Sequence, residues 1–304
     1  MKQIIILSIL ILSLFLLVSC GNEEVDTSLG TAFIGGTEGV VINFEPISVI
    51  DEGGVYSIYD DEGFSLDVIL KNRGEEDLQV GKATLRLLGP AQVDFDNIPS
   101  WELNNQEIVE KISEFNLEGG EEIISFATNG QAKYKNTVIG ELPITWNVEF
   151  WYDYKTHLII NDVCFKGDLS EEKVCEVQES RTFSVSGAPI QVTNVAEDTA
   201  GKGIVVLKID IENSGTGEST LVDQEFDRRF SQVAYTVDEP EKWECKSGGR
   251  ENEARLIEGK AQVICRLKTP LAEEDIYQRS VALTFDYTYR DLIQEKLNIR
   301  ESVS

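Results

Sequence analysis

From residue 40 onward, apolar side chains recur at every second position. Trp146, Val148, Phe150, Tyr152 and Tyr154 line one side of a segment, and Thr145, Asn147, Glu149, Trp151 and Asp153 line the other. This is the pattern of a strand with one buried face. Val281, Leu283, Phe285, Tyr287 and Tyr289 repeat it near the carboxy terminus. Helical spacing is nearly absent. Only Asn105 to Phe115, with Ile108, Ile112 and Phe115 at i, i+4 and i+7, offers a short helix, and it reads equally as irregular strand. Asn72-Arg73-Gly74 and Asn213-Ser214-Gly215 close strands as turns, where Asn and Gly tolerate positive φ.

These strands come in two copies. Leu66 to Gly74 aligns with Leu207 to Gly215, Leu117 to Phe126 with Leu256 to Cys265, and Val148 to Lys155 with Leu283 to Arg290, at shifts of 141, 139 and 135. Three collinear blocks imply two copies of one domain. Strands apolar on one face disfavour a buried parallel sheet. The expectation is therefore an all-β chain of two tandem immunoglobulin-like antiparallel β-sandwich domains, at 40–186 and 187–304. Ser186-Gly187-Ala188-Pro189 is the expected short, stiff junction.

The first twenty residues follow a different pattern. Lys2 precedes an unbroken apolar run, Ile4 to Val18, which as a helix reaches only about 22 Å, short of the roughly 30 Å of a bilayer core. Leu17-Val18-Ser19-Cys20 resembles a lipobox, so residues 1–19 are expected to be a lipoprotein signal peptide and Cys20 the lipidated first residue of the mature chain. Residues 20–39, with five glycines from Gly21 to Gly39, read as a flexible tether.

With Cys20 assigned to lipid, Cys164, Cys175, Cys245 and Cys265 remain. Four cysteines allow three connectivities. The sequence-local pairs would put one disulfide in each half, each worth about 3 kcal/mol and suited to an oxidising, extracytoplasmic compartment. Charge narrows the partners. The 54 acidic and 27 basic residues leave a net charge of −27, which repels polyphosphate and makes nucleic acid a poor partner.

Candidate chemistry is sparse. His157 is the single histidine, so any histidine-based triad or zinc site depends on it. Its place after Lys155-Thr156 reads as a solvent-facing turn at a strand end. Asp94, Asp96, Asn97 and Glu102 offer oxygen ligands to calcium, but without the glycine and terminal glutamate of an EF-hand loop. No other cofactor is expected. Trp151 leaves the polar face of its strand beside Glu149 and Asp153. It either anchors a protein or glycan partner or packs beneath a loop or the neighbouring domain.

The apolar strand ending in Asn-x-Gly, the strand begun by Gly120 or Gly259 and the tyrosine-rich strand resemble immunoglobulin-like modules of the CARDB type, found in bacterial and archaeal surface proteins. The layout is also similar to tandem-module lipoproteins of small-genome archaea. The resemblance implies exposure and adhesion or scaffolding, and brings no catalytic residue. The expectation is a lipid-anchored, extracytoplasmic, non-enzymatic surface protein that meets other envelope proteins or glycans. The alternative is an accessory lipoprotein subunit of a transporter or other envelope complex.

Overall fold

A computed structural model describes residues 32–170, 174–177 and 180–303. The expected signal peptide 1–19, Cys20 and the first part of the tether lie outside the described residues. Among those described, no helix is long and apolar enough to cross a membrane.

Two long strands, Glu141–Lys166 and Ile276–Arg300, organise the chain. They pair antiparallel from Glu141 opposite Arg300 to Lys166 opposite Ile276, with one irregularity between Ile160 and Val163. The alternation expected from the sequence matches the burial found. The five apolar residues from Trp146 to Tyr154 and the five from Val281 to Tyr289 are each no more than 3 % exposed. Strands usually run about 5 to 6 residues. These run longer because each finds partners along its whole length. The first pairs with Ala83–Leu88 and then with Phe183–Val185. The second pairs with Ser231–Val237 and Glu218–Thr220, and its end lies parallel to Tyr56–Tyr59. Together they form the centre of a ten-stranded sheet.

Smaller antiparallel sheets complete the fold. In one, Asp67–Asn72 lies between Val40–Phe44 and Glu121–Ser125. In another, Val205–Asn213 lies between Ile190–Thr199 and Lys260–Leu267, which continues to Trp243–Ser247 and Arg250–Glu251. The two copies of the first repeated block, Asp67–Asn72 and Val205–Asn213, thus take equivalent positions between two antiparallel neighbours. Lys71 faces Glu121 in the first copy and Glu212 faces Lys260 in the second, the same cross-strand site with its charges exchanged. The third small sheet joins Gly63–Phe64, Ala132–Tyr134 and Phe95–Asp96.

No helix forms at Asn105–Phe115. Asn105, fully buried, accepts a hydrogen bond from the Ala83 amide and donates to the Gln79 and Glu107 carbonyls, and Val109 bridges Leu78. These partners hold the segment extended, so its i, i+4, i+7 residues share no face: Ile112 is 9 % exposed and Phe115 99 %.

The two copies interlock. Each long strand leaves the sheets of its own repeat and completes the neighbouring half. Leu297 and Ile299 are fully buried where the chain end runs beside Tyr56–Tyr59, and Phe165 packs edge-on against Trp243 at 6.0 Å. Residues 32–304 accordingly form one compact unit. Ser186 to Pro189, the expected junction, are buried. The end of the expected tether is also held. Glu75, 8 % exposed, accepts the amides of Ile34, Gly35 and Gly187.

One side-chain motif occurs in both copies. The Tyr154 hydroxyl donates to Asn72 Oδ1 at 3.0 Å, and Tyr289 donates to Asn213 Oδ1 at 3.0 Å. Each asparagine oxygen also accepts the amide two residues on, and each Nδ2 donates to the carbonyl four residues on. The amides of Glu76 and Gly217 close the rings by donating to the tyrosine oxygens. The glycines of the two Asn-x-Gly turns do not sit at positive φ. Their requirement is space, because a Cβ on Gly74 or Gly215 would lie 2.3 Å from the tyrosine oxygen.

Tyr289→Phe should lower stability by about 1 kcal/mol and Gly215→Ala by about 2 kcal/mol. Since both act through one contact, Gly215→Ala should cost clearly less in the Tyr289→Phe background. Urea unfolding of the four proteins tests this; additive costs would refute the steric account.

Candidate binding cleft

Alternation sends every second side chain of the long strands away from the core, and on this outer face they form the floor of a cleft of about 620 Å³. In cross-strand order, Thr84, Trp151, Arg290 and Glu218 make one row, with Arg86 and Glu149 on one side and Asp153 opposite Thr288 on the other. The loop residues Asp223, Gln224, Glu225 and Phe226 form a wall, tied down by the Thr220 hydroxyl donating to the Glu225 carbonyl. Both copies therefore contribute to the site.

The cleft lies on an approximate two-fold axis. The repeat aligns Tyr152 with Tyr287 and Tyr154 with Tyr289, whereas the sheet pairs Tyr152 with Tyr289 and Tyr154 with Tyr287. Both relations hold only if the long strands exchange by rotation about a point at Asp153 and Thr288.

Its charges are mutually engaged. Glu149 lies between Arg86 Nη1 at 3.6 Å and Arg290 Nη1 at 3.4 Å. Arg86 Nε reaches Glu102 at 2.9 Å, and Arg290 Nη2 reaches Glu218 at 2.8 Å. Asp153 accepts from Lys82 Nζ at 2.9 Å and from the Thr288 hydroxyl at 2.7 Å. The hydrogen bond to Asp153 holds the Lys82 ammonium above its ordinary pKa. Arg86 stacks on Trp151 at 4.8 Å and Arg290 on Phe226 at 4.1 Å, contacts that favour flat guanidinium planes over aromatic faces.

Trp151 is thus half-buried in this cleft. The calcium candidates are not assembled as ligands. Asp94 accepts from Asn136, Asp96 pairs with Lys135 at 3.0 Å, Asn97 donates to the Gln131 carbonyl, and Glu102 belongs to Arg86. Among the described residues no group of three or more His, Cys, Asp or Glu side chains is placed to hold a metal. His157 is not at a strand end, because its strand continues to Lys166. Its Nε2 lies 3.1 Å from Glu76 and its Nδ1 3.3 Å from Thr284, and its ring stacks on Phe33. Both ring nitrogens are engaged in joining the two long strands to the Glu75–Asp77 turn.

The cysteines form the sequence-local disulfides, Cys164–Cys175 and Cys245–Cys265. Beside the first lies an unanticipated buried pair, Arg181 with Glu197, whose other carboxylate oxygen accepts the Cys164 amide at 3.0 Å. The cations of the cleft were also missed. Their signal was present in Arg86, Glu149 and Arg290 at alternating outward positions, but their convergence depends on register.

No protein-family model and no curated protein matches the chain. Among solved structures it is similar to the secreted serine protease VesC from Vibrio cholerae, with a TM-score of 0.20 and 8 % identity, over 84 % of this chain and 51 % of that one. A superposition that loose bears on neither fold nor activity.

Burial raises the Glu197 carboxyl from the ordinary 4.5 to about 7, against the pull of Arg181. The folded state then holds this proton more tightly than the unfolded one. Its stabilisation is full below about 4.5 and is lost as pH rises through about 7. Glu197→Gln should therefore show a flatter unfolding midpoint across that interval than the wild type, and equal slopes would refute the assignment.

Proposed function

We propose that this is a lipid-anchored, extracytoplasmic, non-enzymatic surface protein that acts in adhesion or as an envelope scaffold or spacer. The carrying observation is the pair of intramolecular disulfides, Cys164–Cys175 and Cys245–Cys265, in a chain whose first twenty residues read as a lipoprotein signal ending at Cys20. Disulfides of this kind persist in oxidising compartments. A single lipid chain on Cys20, with a second signal or acyl group, would hold the protein at the membrane, and the interlocked strands would present the cleft at a fixed geometry. The resemblance of the strand blocks to CARDB-type adhesion modules supports the same reading.

The second reading, an accessory lipoprotein subunit of a transporter or other envelope complex, has one observation in its favour. Ile108, Phe115, Leu117 and Ile123 are each more than half exposed within one short stretch of the chain, and such side chains suit a protein interface.

Intact mass spectrometry of membrane-extracted protein tests the first reading. A mature start at Cys20 carrying a lipid mass, with four protons gained on reduction of the two disulfides, is the expected result. An unprocessed amino terminus, or a chain with four free thiols before reduction, would overturn it. Stoichiometric co-purification with one membrane complex would move the assignment to the accessory-subunit reading.

A further inference from the structure

We propose that the cleft on the shared sheet binds a neutral oligosaccharide; the inference rests on the surface-exposed reading above and assigns the ligand class of that surface.

Charge balance selects the class. Lys82, Arg86 and Arg290 are matched by Glu102, Glu149, Asp153 and Glu218 in pairs that leave no unengaged cation on the floor. An anionic ligand would have to displace one of these carboxylates and would also meet Asp223 and Glu225 on the wall. Hydroxyl groups make no such demand. They can donate to the carboxylate lone pairs and accept from guanidinium N–H groups that remain free, because Arg carries five donors and a carboxylate about four acceptor sites. Trp151 and Phe226 add apolar ring surface beside this polar array, matching a sugar ring with its C–H faces and hydroxyl rim.

Rigidity is the second argument. Apart from Lys82, one residue ahead of Ala83–Leu88, the floor groups stand on adjacent paired strands rather than on loops, and Glu149 is fixed between two arginines. A preordered hydrogen-bonding array loses little freedom when a flexible polyol is ordered against it. A peptide is the competing class, and the geometry disfavours it. Glu141–Lys166 has strands on both sides over the cleft, so no free edge is offered for strand addition. The lining also lacks an aliphatic pocket for a hydrophobic anchor.

The test uses the disulfide-intact protein and isothermal titration with four probes: cellohexaose, hexa-N-acetylchitohexaose, an α-mannan hexasaccharide and a hexagalacturonate. The expected result is saturable binding of at least one neutral probe, weakened at least tenfold in Trp151→Ala and in Phe226→Ala, with hexagalacturonate bound at least tenfold less well. Two variants on different elements guard against a folding defect in one, and each is checked by its unfolding midpoint. Absence of binding to all three neutral probes, equal binding by folded variants, or preference for the uronic acid would overturn the proposal. None of these outcomes bears on the lipid mass at Cys20, so failure of the glycan assignment is distinguishable from failure of the surface reading.

Discussion

The backbone pairing of Glu141–Lys166 with Ile276–Arg300 is the constraint on which the rest of the molecule depends. Buried amide and carbonyl groups must find partners, and along these strands the partners come from the other copy of the repeat. A strand that completes its neighbour cannot be withdrawn without exposing Leu297 and Ile299 at one end or Phe165 at the other. The pairing thus draws both halves of residues 32–304 into one compact unit. It also sets the length of the strands, since each must traverse both halves.

A second requirement follows from placing tyrosines on the buried face. Tyr152, Tyr154, Tyr287 and Tyr289 meet at the centre of the shared sheet. Burial pushes the phenols of Tyr152 and Tyr287 far above their usual range and that of Tyr289 up to about 12. Such hydroxyls stay neutral and must be hydrogen-bonded. Asn72 and Asn213 supply partners to Tyr154 and Tyr289, and the Tyr287 hydroxyl lies 2.9 Å from Thr156 Oγ1. The Asn-x-Gly turn and the tyrosine strand are therefore parts of one device, separated by some eighty residues in sequence.

Much of this is legible in the sequence. Period-two alternation identified the buried faces of both long strands, and the three repeated blocks identified equivalent strands. Local spacing identified the cysteine pairs as well. What alternation cannot encode is which edge a strand will pair with, and the interlock is a consequence of that choice. For the same reason Ser186 to Pro189 reads as a junction, though the Ser186 amide donates to the His157 carbonyl on the first long strand and the Gly187 amide donates to Glu75. The glycines were recognised for the wrong reason: a turn signal suggested backbone freedom, while the need was for room beside a tyrosine oxygen. Helical spacing at Asn105–Phe115 was outweighed by the hydrogen-bonding capacity of one buried asparagine.

The same pairing accounts for the cleft. On a surface with net charge −27, cations would be expected to scatter, each neutralising its nearest carboxylate. Arg86 and Arg290 instead converge on Glu149, because the register sets residues from three adjacent strands side by side. Arg86 belongs to the first copy and Arg290 to the second, so neither copy alone holds this arrangement. Pairing two related strands about a two-fold point places their outward side chains in one shared field. The divergence of those side chains, Asp153 on one strand facing Thr288 on the other, then makes the centre chemically asymmetric. The buried tyrosines on the opposite side have kept their symmetry, since packing and hydroxyl satisfaction act on both copies alike. The outward face departs from the repeat, with Trp151 where the second copy has Asp286, so the two halves bring different side chains to the shared sheet.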